Sequence, residues 1–203
     1  MLRATGTWFA LLAWLCVGHP LLASAGDALT VPPQGYAYAA TAGCPFAGKS
    51  YAPCEDQMQR LAGALEKAKA DGKLLLIVLG ADWCPWCRSL EKLLPTDQVL
   101  ARKDAQFDYA GAFAYTNIAT SALNDGKRVT VPSGAAVEAL LFGRSRAPRA
   151  SRSIPYFVIV DPRSGDVYHR DTGDLEDTFN VEQTHDAAKI RDVLRQAHAQ
   201  LRP

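Results

Sequence analysis

The stretch that most constrains this chain is Leu74-Leu75-Leu76-Ile77-Val78-Leu79-Gly80, continued by Ala81-Asp82-Trp83-Cys84-Pro85-Trp86-Cys87. An unbroken apolar run this short, ended by a glycine, reads as a strand buried on both faces. Beyond it the period changes. Cys87, Leu90 and Leu94 share one face of a helix, and Arg88, Glu91 and Lys92 share the other. Pro85 suits the first helical turn, where its missing N–H is no loss. Cys84 then stands at the mouth of the helix, where unpaired N–H groups and the positive end of the dipole favour a thiolate. Cys87 lies one turn further in, on the apolar side. The expectation is an exposed, activated sulfur at 84 and a sheltered partner at 87, the arrangement thiol–disulfide exchange requires.

Other uses of two cysteines at this spacing are weaker. Covalent haem needs a histidine after the second cysteine, and Arg88 is there. Structural zinc needs two more ligands. Cys44 and Cys54 are widely spaced from each other, which argues against it, so no metal site and no cofactor are expected. A static disulfide stays open as an alternative, because the start of a helix also suits a bond that never exchanges.

The strand–Trp-Cys-x-x-Cys–helix pattern resembles the thioredoxin superfamily. The longer stretch from Ala64 to Leu94 looks like the exported thioredoxin-like proteins of bacteria, and the resemblance runs from about Tyr51 to the C-terminus. It implies an α/β thioredoxin fold, a four-stranded mixed sheet flanked by helices. It also implies that Ile154-Pro155 holds a cis-proline opposite the cysteine pair, where the backbone can pair with a substrate strand and where no metal-attracting side chain meets the sulfurs. Cys84 and Cys87 are then the catalytic pair, with Trp83, Pro85, Trp86, Ile154 and Pro155 as the surface that meets substrate. Two features depart from thioredoxin. The buried carboxylate six residues before the first cysteine is replaced by Val78, so another acid or water must handle the proton of the inner cysteine. Asp82, expected to be exposed, is a weak candidate. The dipeptide between the cysteines is Pro-Trp, closer to the Pro-aromatic pair of glutaredoxins. Trp86 is therefore either an apolar contact for a partner or packing at the rim, and the direction of exchange is open.

Around this centre the chain divides into three parts. Residues 1–25 read as a secretory signal, with Arg3 at the start, an apolar centre from Trp8 to Val17, and Ala23-Ser24-Ala25 as the cleavage site. Cys16 leaves with it, and the mature chain starts at Gly26 in an oxidising compartment, periplasmic or secreted. Residues 26–53 are rich in Ala, Gly, Pro and Tyr without clear period and read as an extended arm. Residues 54–203 form the domain. Four cysteines remain after cleavage. A Cys44–Cys54 disulfide would staple a short loop and stabilise by roughly 2–3 kcal/mol; a second redox pair there is the sharper alternative.

The other elements follow from periodicity. Glu55 to Ala70 forms an amphipathic helix with Met58, Leu61, Leu65 and Ala68 as its stripe, and Gly72 can end it. A second strand, parallel to the first, is expected within Phe107 to Ile118. Asn124-Asp125-Gly126 is a turn and Gly134 to Phe142 a short helix. Residues 143–153 carry four arginines among Pro, Ser and Ala, an exposed basic loop that either faces solvent or steers an acidic partner. Tyr156 to Asp161 is a strand, Asp166 to Arg170 pairs back on it, and Thr184 to Leu201 is the closing helix.

Charge removes some functions. The formal net charge is +1. Arg3 is the one charged residue in the first 25, so the remainder holds 21 basic and 21 acidic side chains. Bulk attraction to nucleic acid or to an anionic membrane is not supported, and no stable membrane insertion is expected once the signal is removed. The leading expectation is an exported thiol–disulfide oxidoreductase. Its partners would be exported proteins with thiols or disulfides, together with a redox partner protein. A monomer is expected, since there is no long N-terminal dimerisation domain. The alternative, from a different class, is a non-catalytic thioredoxin-like binding module whose disulfides are structural.

Overall fold

The computed structural model describes residues 29, 45–46, 48–143, 153–177 and 184–202. In it the apolar run is a strand, β1 (Leu74–Gly80), with all seven residues buried. The cause is double coverage. β1 pairs in parallel with β2 (Phe113–Ala119) and antiparallel with β5 (Tyr156–Val160), which pairs antiparallel with β6 (Val167–Asp171). The sheet order is β2-β1-β5-β6, so the two most apolar strands are central. Both faces of β1 then need a layer of helices, and the alternation of side chains decides which layer each residue meets.

Leu74, Leu76 and Val78 point into one core with Phe157 and Ile159 of β5. Helix α2 (Pro85–Leu93) closes this core through Cys87 and Leu90, and α5 (Ala187–Leu201) closes it through Ile190, Val193, Leu194, Ala197 and Leu201. Leu75, Ile77 and Leu79 point into the opposite core. There they meet α1 (Gln57–Ala70) through Met58, Leu61, Leu65 and Ala68, and α4 (Gly134–Gly143) through Val137, Leu141 and Phe142. This is the expected α/β thioredoxin fold: a four-stranded mixed sheet flanked by helices.

Three element boundaries differ from expectation, each because a side chain caps the backbone. α1 starts at Gln57 rather than Glu55, where the Asp56 carboxylate accepts from the N–H groups of Met58 and Gln59. The second strand starts at Phe113, not near Phe107. Asp104 accepts from the N–H groups of Gln106 and Phe107, and Asp108 caps a single turn, α3 (Tyr109–Ala112). The aromatic alternation that suggested an earlier start comes from Phe107 packing on Tyr109 and Phe113. α5 starts at Ala187 rather than Thr184, because His185 is bridged to Glu176 and Asp186 caps the helix. The turn at Asn124-Asp125-Gly126 joins a small hairpin, β3 (Ala122–Asn124) and β4 (Lys127–Val129), with Asp125 and Gly126 both at positive φ.

The segment leading into α1 is tied to the sheet by two side chains. Buried Gln57 accepts from the Ala119 N–H at 2.9 Å and donates to the carbonyls of Ala52 and Glu55. Arg60 donates to the carbonyls of Asn117 at 2.8 Å and Ser50 at 3.0 Å. Residues 50–55 are thereby held against the end of β2. Gln57→Leu keeps the volume but leaves the Ala119 N–H and two carbonyls without these partners. The expected loss is about 2–4 kcal/mol, read as a lower urea midpoint with unchanged slope.

Candidate active site

β1 ends at Gly80, and a turn closed by the Cys84 N–H donating to the Ala81 carbonyl at 3.1 Å leads into α2. Cys84 is the N-cap. Its backbone is extended (φ −78°, ψ 119°) and its sulfur accepts from the Cys87 N–H at 3.2 Å. Pro85 takes the first helical position. The sulfur thus occupies the place that Ser or Asp fills in ordinary caps, and a thiolate fills it better than a thiol because the cap sits at the positive end of the helix.

Both thiols are free, and the protonation of each sulfur shifts that of the other. The Cys84 thiol is pushed down to about 7, chiefly because the Cys87 thiol donates to its sulfur. Burial opposes this, and the N–H groups of Cys87 and Trp86 and the charge of Arg88 assist it. Cys87 is driven strongly upward by the Cys84 sulfur and by its own burial. Of the two, Cys84 is the sulfur that ionises first, and Cys87 keeps its proton.

One expectation needs correction. Cys84 is not exposed: only 4% of its surface is accessible, and Cys87 has none. The capping sulfur turns back onto the Cys87 N–H of its own helix, and Ile154, just before β5, lies against it. The Ile154 carbonyl lies 3.6 Å from the Cys84 sulfur. The peptide between Ile154 and Pro155 is cis. Pro155 is buried and its carbonyl accepts from the Thr172 hydroxyl.

The residues expected to meet substrate surround this point. Trp83 is 43% exposed, with its indole N–H donating to the Ser121 hydroxyl at 3.2 Å. Pro85 is exposed and Ile154 is half-buried. Trp86 is half-buried and meets His185 edge-on, with ring centres 5.5 Å apart. A groove of about 900 Å³ runs past Pro85, Arg88, Lys92 and His185. Another, of about 390 Å³, runs past Ile154, Tyr156, Ser121 and Thr120. Asp82 is half-buried rather than exposed. Burial raises its carboxyl and the Tyr51 backbone N–H opposes the rise.

Several residues at the site carry no signal in the sequence. Tyr51 is completely buried and shares the core of Cys84 and Cys87. Its ring fills the space over Gly80: a methyl there would sit 2.6 Å from the Tyr51 hydroxyl. Gly80 is required by that contact, where local reading takes it only as the end of a strand. His185 is buried, with neither ring nitrogen hydrogen-bonded, and burial pushes it down to about 4. The expected signal peptide, Cys44 and residues 144–152 of the basic loop lie outside the described residues. Cys54 is disulfide-bonded. Among the described residues no three metal-ligating side chains cluster, and no helix is long and apolar enough to cross a membrane.

A family model described as "Thioredoxin-like" matches residues 56–162. Among solved structures the chain is similar to a disulphide isomerase from Xylella fastidiosa Temecula1, at 21% identity and a TM-score of 0.48, covering 70% of this chain and 92% of that one. It is also similar to a thioredoxin from Thermus thermophilus, at 21% identity and a TM-score of 0.38, covering 68% and 84%. No curated protein matches. The matched residues span more than half the chain and contain β1, the cysteine pair and β5: the chain belongs to the thioredoxin-like family.

Proposed function

We propose that this protein is an exported thiol–disulfide oxidoreductase acting through Cys84 and Cys87 on protein substrates. The observation that carries the reading is the division of labour between two sulfurs one helical turn apart. Cys84 caps α2 and is acidified to about 7, while Cys87 is buried and holds its proton. In the reducing direction the Cys84 thiolate attacks a substrate disulfide, forming a mixed disulfide and releasing one substrate thiolate. Cys87 then loses its proton and attacks the Cys84 sulfur. The internal disulfide forms and the second substrate sulfur leaves as a thiolate. Two enzyme thiols are oxidised for each substrate disulfide reduced, and the reverse sequence donates a disulfide. Trp83, Pro85, Trp86, Ile154 and Pro155 form the rim that a substrate strand meets, and its donors and acceptors are exported proteins with thiols or disulfides.

A second reading, a binding module with inert cysteines, draws on the burial of Cys84. Alkylation of the reduced protein across pH separates the two. The oxidoreductase reading expects one fast-reacting thiol with a midpoint about 7. It is lost in Cys84→Ser. The binding module expects no thiol that reacts faster than a free cysteine. In insulin reduction, Cys84→Ser is expected to abolish turnover. Cys87→Ser is expected to trap the mixed disulfide, visible as an added mass on the chain. For export, protein recovered from the periplasm or medium is expected to begin at Gly26; retention of residues 1–25 on all of it contradicts that part of the reading.

A further inference from the structure

The position from which thioredoxin serves its inner cysteine holds Val78 here, which is buried and has no proton to exchange. The inner sulfur is nevertheless not left among apolar groups alone. Tyr51, from the segment ahead of the family-matched residues, enters the same core. It has no accessible surface. Its hydroxyl shares that core with the Cys87 sulfur, whose ionisation it favours, and makes no hydrogen bond with any protein group. A buried hydroxyl left in that condition is costly unless some state of the protein uses it. The packing is specific: glycine at 80 is the one residue type that leaves room for the ring, and the Tyr51 N–H favours the ionised form of Asp82. The neighbouring Ser50 hydroxyl donates to Glu91 of α2, which fixes the segment on both sides.

We propose that Tyr51 is a positioning residue for the second step of exchange: its phenol donates a hydrogen bond to Cys87 as that sulfur becomes a thiolate. This rests on the oxidoreductase reading and deepens it. The proton of Cys87 leaves to a base from solvent. Tyr51 keeps its own proton, and burial beside two sulfurs raises its phenol well above the ordinary range, so it is a donor throughout. The Cys87 pair of electrons forms the bond to the Cys84 sulfur, and the Cys84–substrate bond breaks toward the substrate. The charged groups around the site are the Cys84 sulfur and Arg88 at the start of α2, Glu91 further along it, and Asp82 before it, with Lys49 and Arg60 facing Asp82.

The sign follows. A donor to the thiolate lowers the Cys87 pKa, so its removal leaves less thiolate at a given pH and slows the second step. The test uses the protein without residues 1–25, which carry Cys16, with the Cys84–Cys87 pair alone reduced, verified by a count of two thiols, mixed with one equivalent of 5,5′-dithiobis(2-nitrobenzoate). Cys84 releases the first equivalent of thionitrobenzoate and Cys87 the second. In Tyr51→Phe the first phase is expected to stay within about twofold, while the second slows roughly tenfold, the worth of one hydrogen bond to a charged group. The pH profile of the second phase is expected to move upward by about one unit. Gly80→Ala, which retains the tyrosine but pushes the phenol aside, is expected to reproduce both effects. A second phase in Tyr51→Phe as fast as in the parent, or equal slowing of both phases, overturns the proposal. A parent that releases no second equivalent overturns the oxidoreductase reading itself, and the proposal with it.

Discussion

The N-terminus of α2 has N–H groups without partners inside the helix, and the atom that satisfies one of them is the sulfur of Cys84. Structure and reactivity meet in that bond. A cap that prefers to be an anion both holds the helix and lowers the pKa of its own thiol. The coupling has a thermodynamic side. With a pKa lowered to about 7, Cys84 stabilises the reduced native state at pH values above the ordinary thiol range. That contribution is lost as pH falls through about 7. Cys87, whose pKa is raised, acts in the opposite sense and removes stability once the pH passes the range where an unfolded cysteine ionises.

The remaining architecture serves to make the two sulfurs unequal. β1 is central and buried along its length, so the turn that follows it starts from a rigid point. α2 lies on the core that includes α5, and its apolar face carries Cys87 inward with Leu90 while Cys84 stays at the helix mouth. β5 is the other neighbour of β1, and the residues before it deliver the Ile154 carbonyl to the outer sulfur. Each of these placements comes from pairing and burial of ordinary apolar residues. The chemistry requires only that the cysteines fall at the right register on them.

What could be read from sequence was what depends on neighbours in the chain. The Leu74–Leu79 run, the cap at Cys84, the proline at 85 and the stripe Cys87, Leu90, Leu94 are local patterns, and they place the strand, the turn and the helix. The accessibility of Cys84 was not legible, because Ile154, which lies against it, is 70 positions away. Tyr51 was not legible either. It lies in a stretch with no period, and only the fold brings it over Gly80. The later start of β2 was hidden by aromatic residues that alternate for the sake of packing on each other rather than on a sheet. Asp104, Asp108 and Asp186 set boundaries through one or two hydrogen bonds each, a scale below that of hydrophobic periodicity.

Tyr51 lies ahead of residues 56–162, the part by which kinship is recognised, yet its ring is in van der Waals range of the glycine that ends the central strand. The heritable core and the finished molecule therefore have different edges. A chimaera that transplanted the recognisable stretch alone would bring both sulfurs to their new host and leave a ring-shaped void above residue 80.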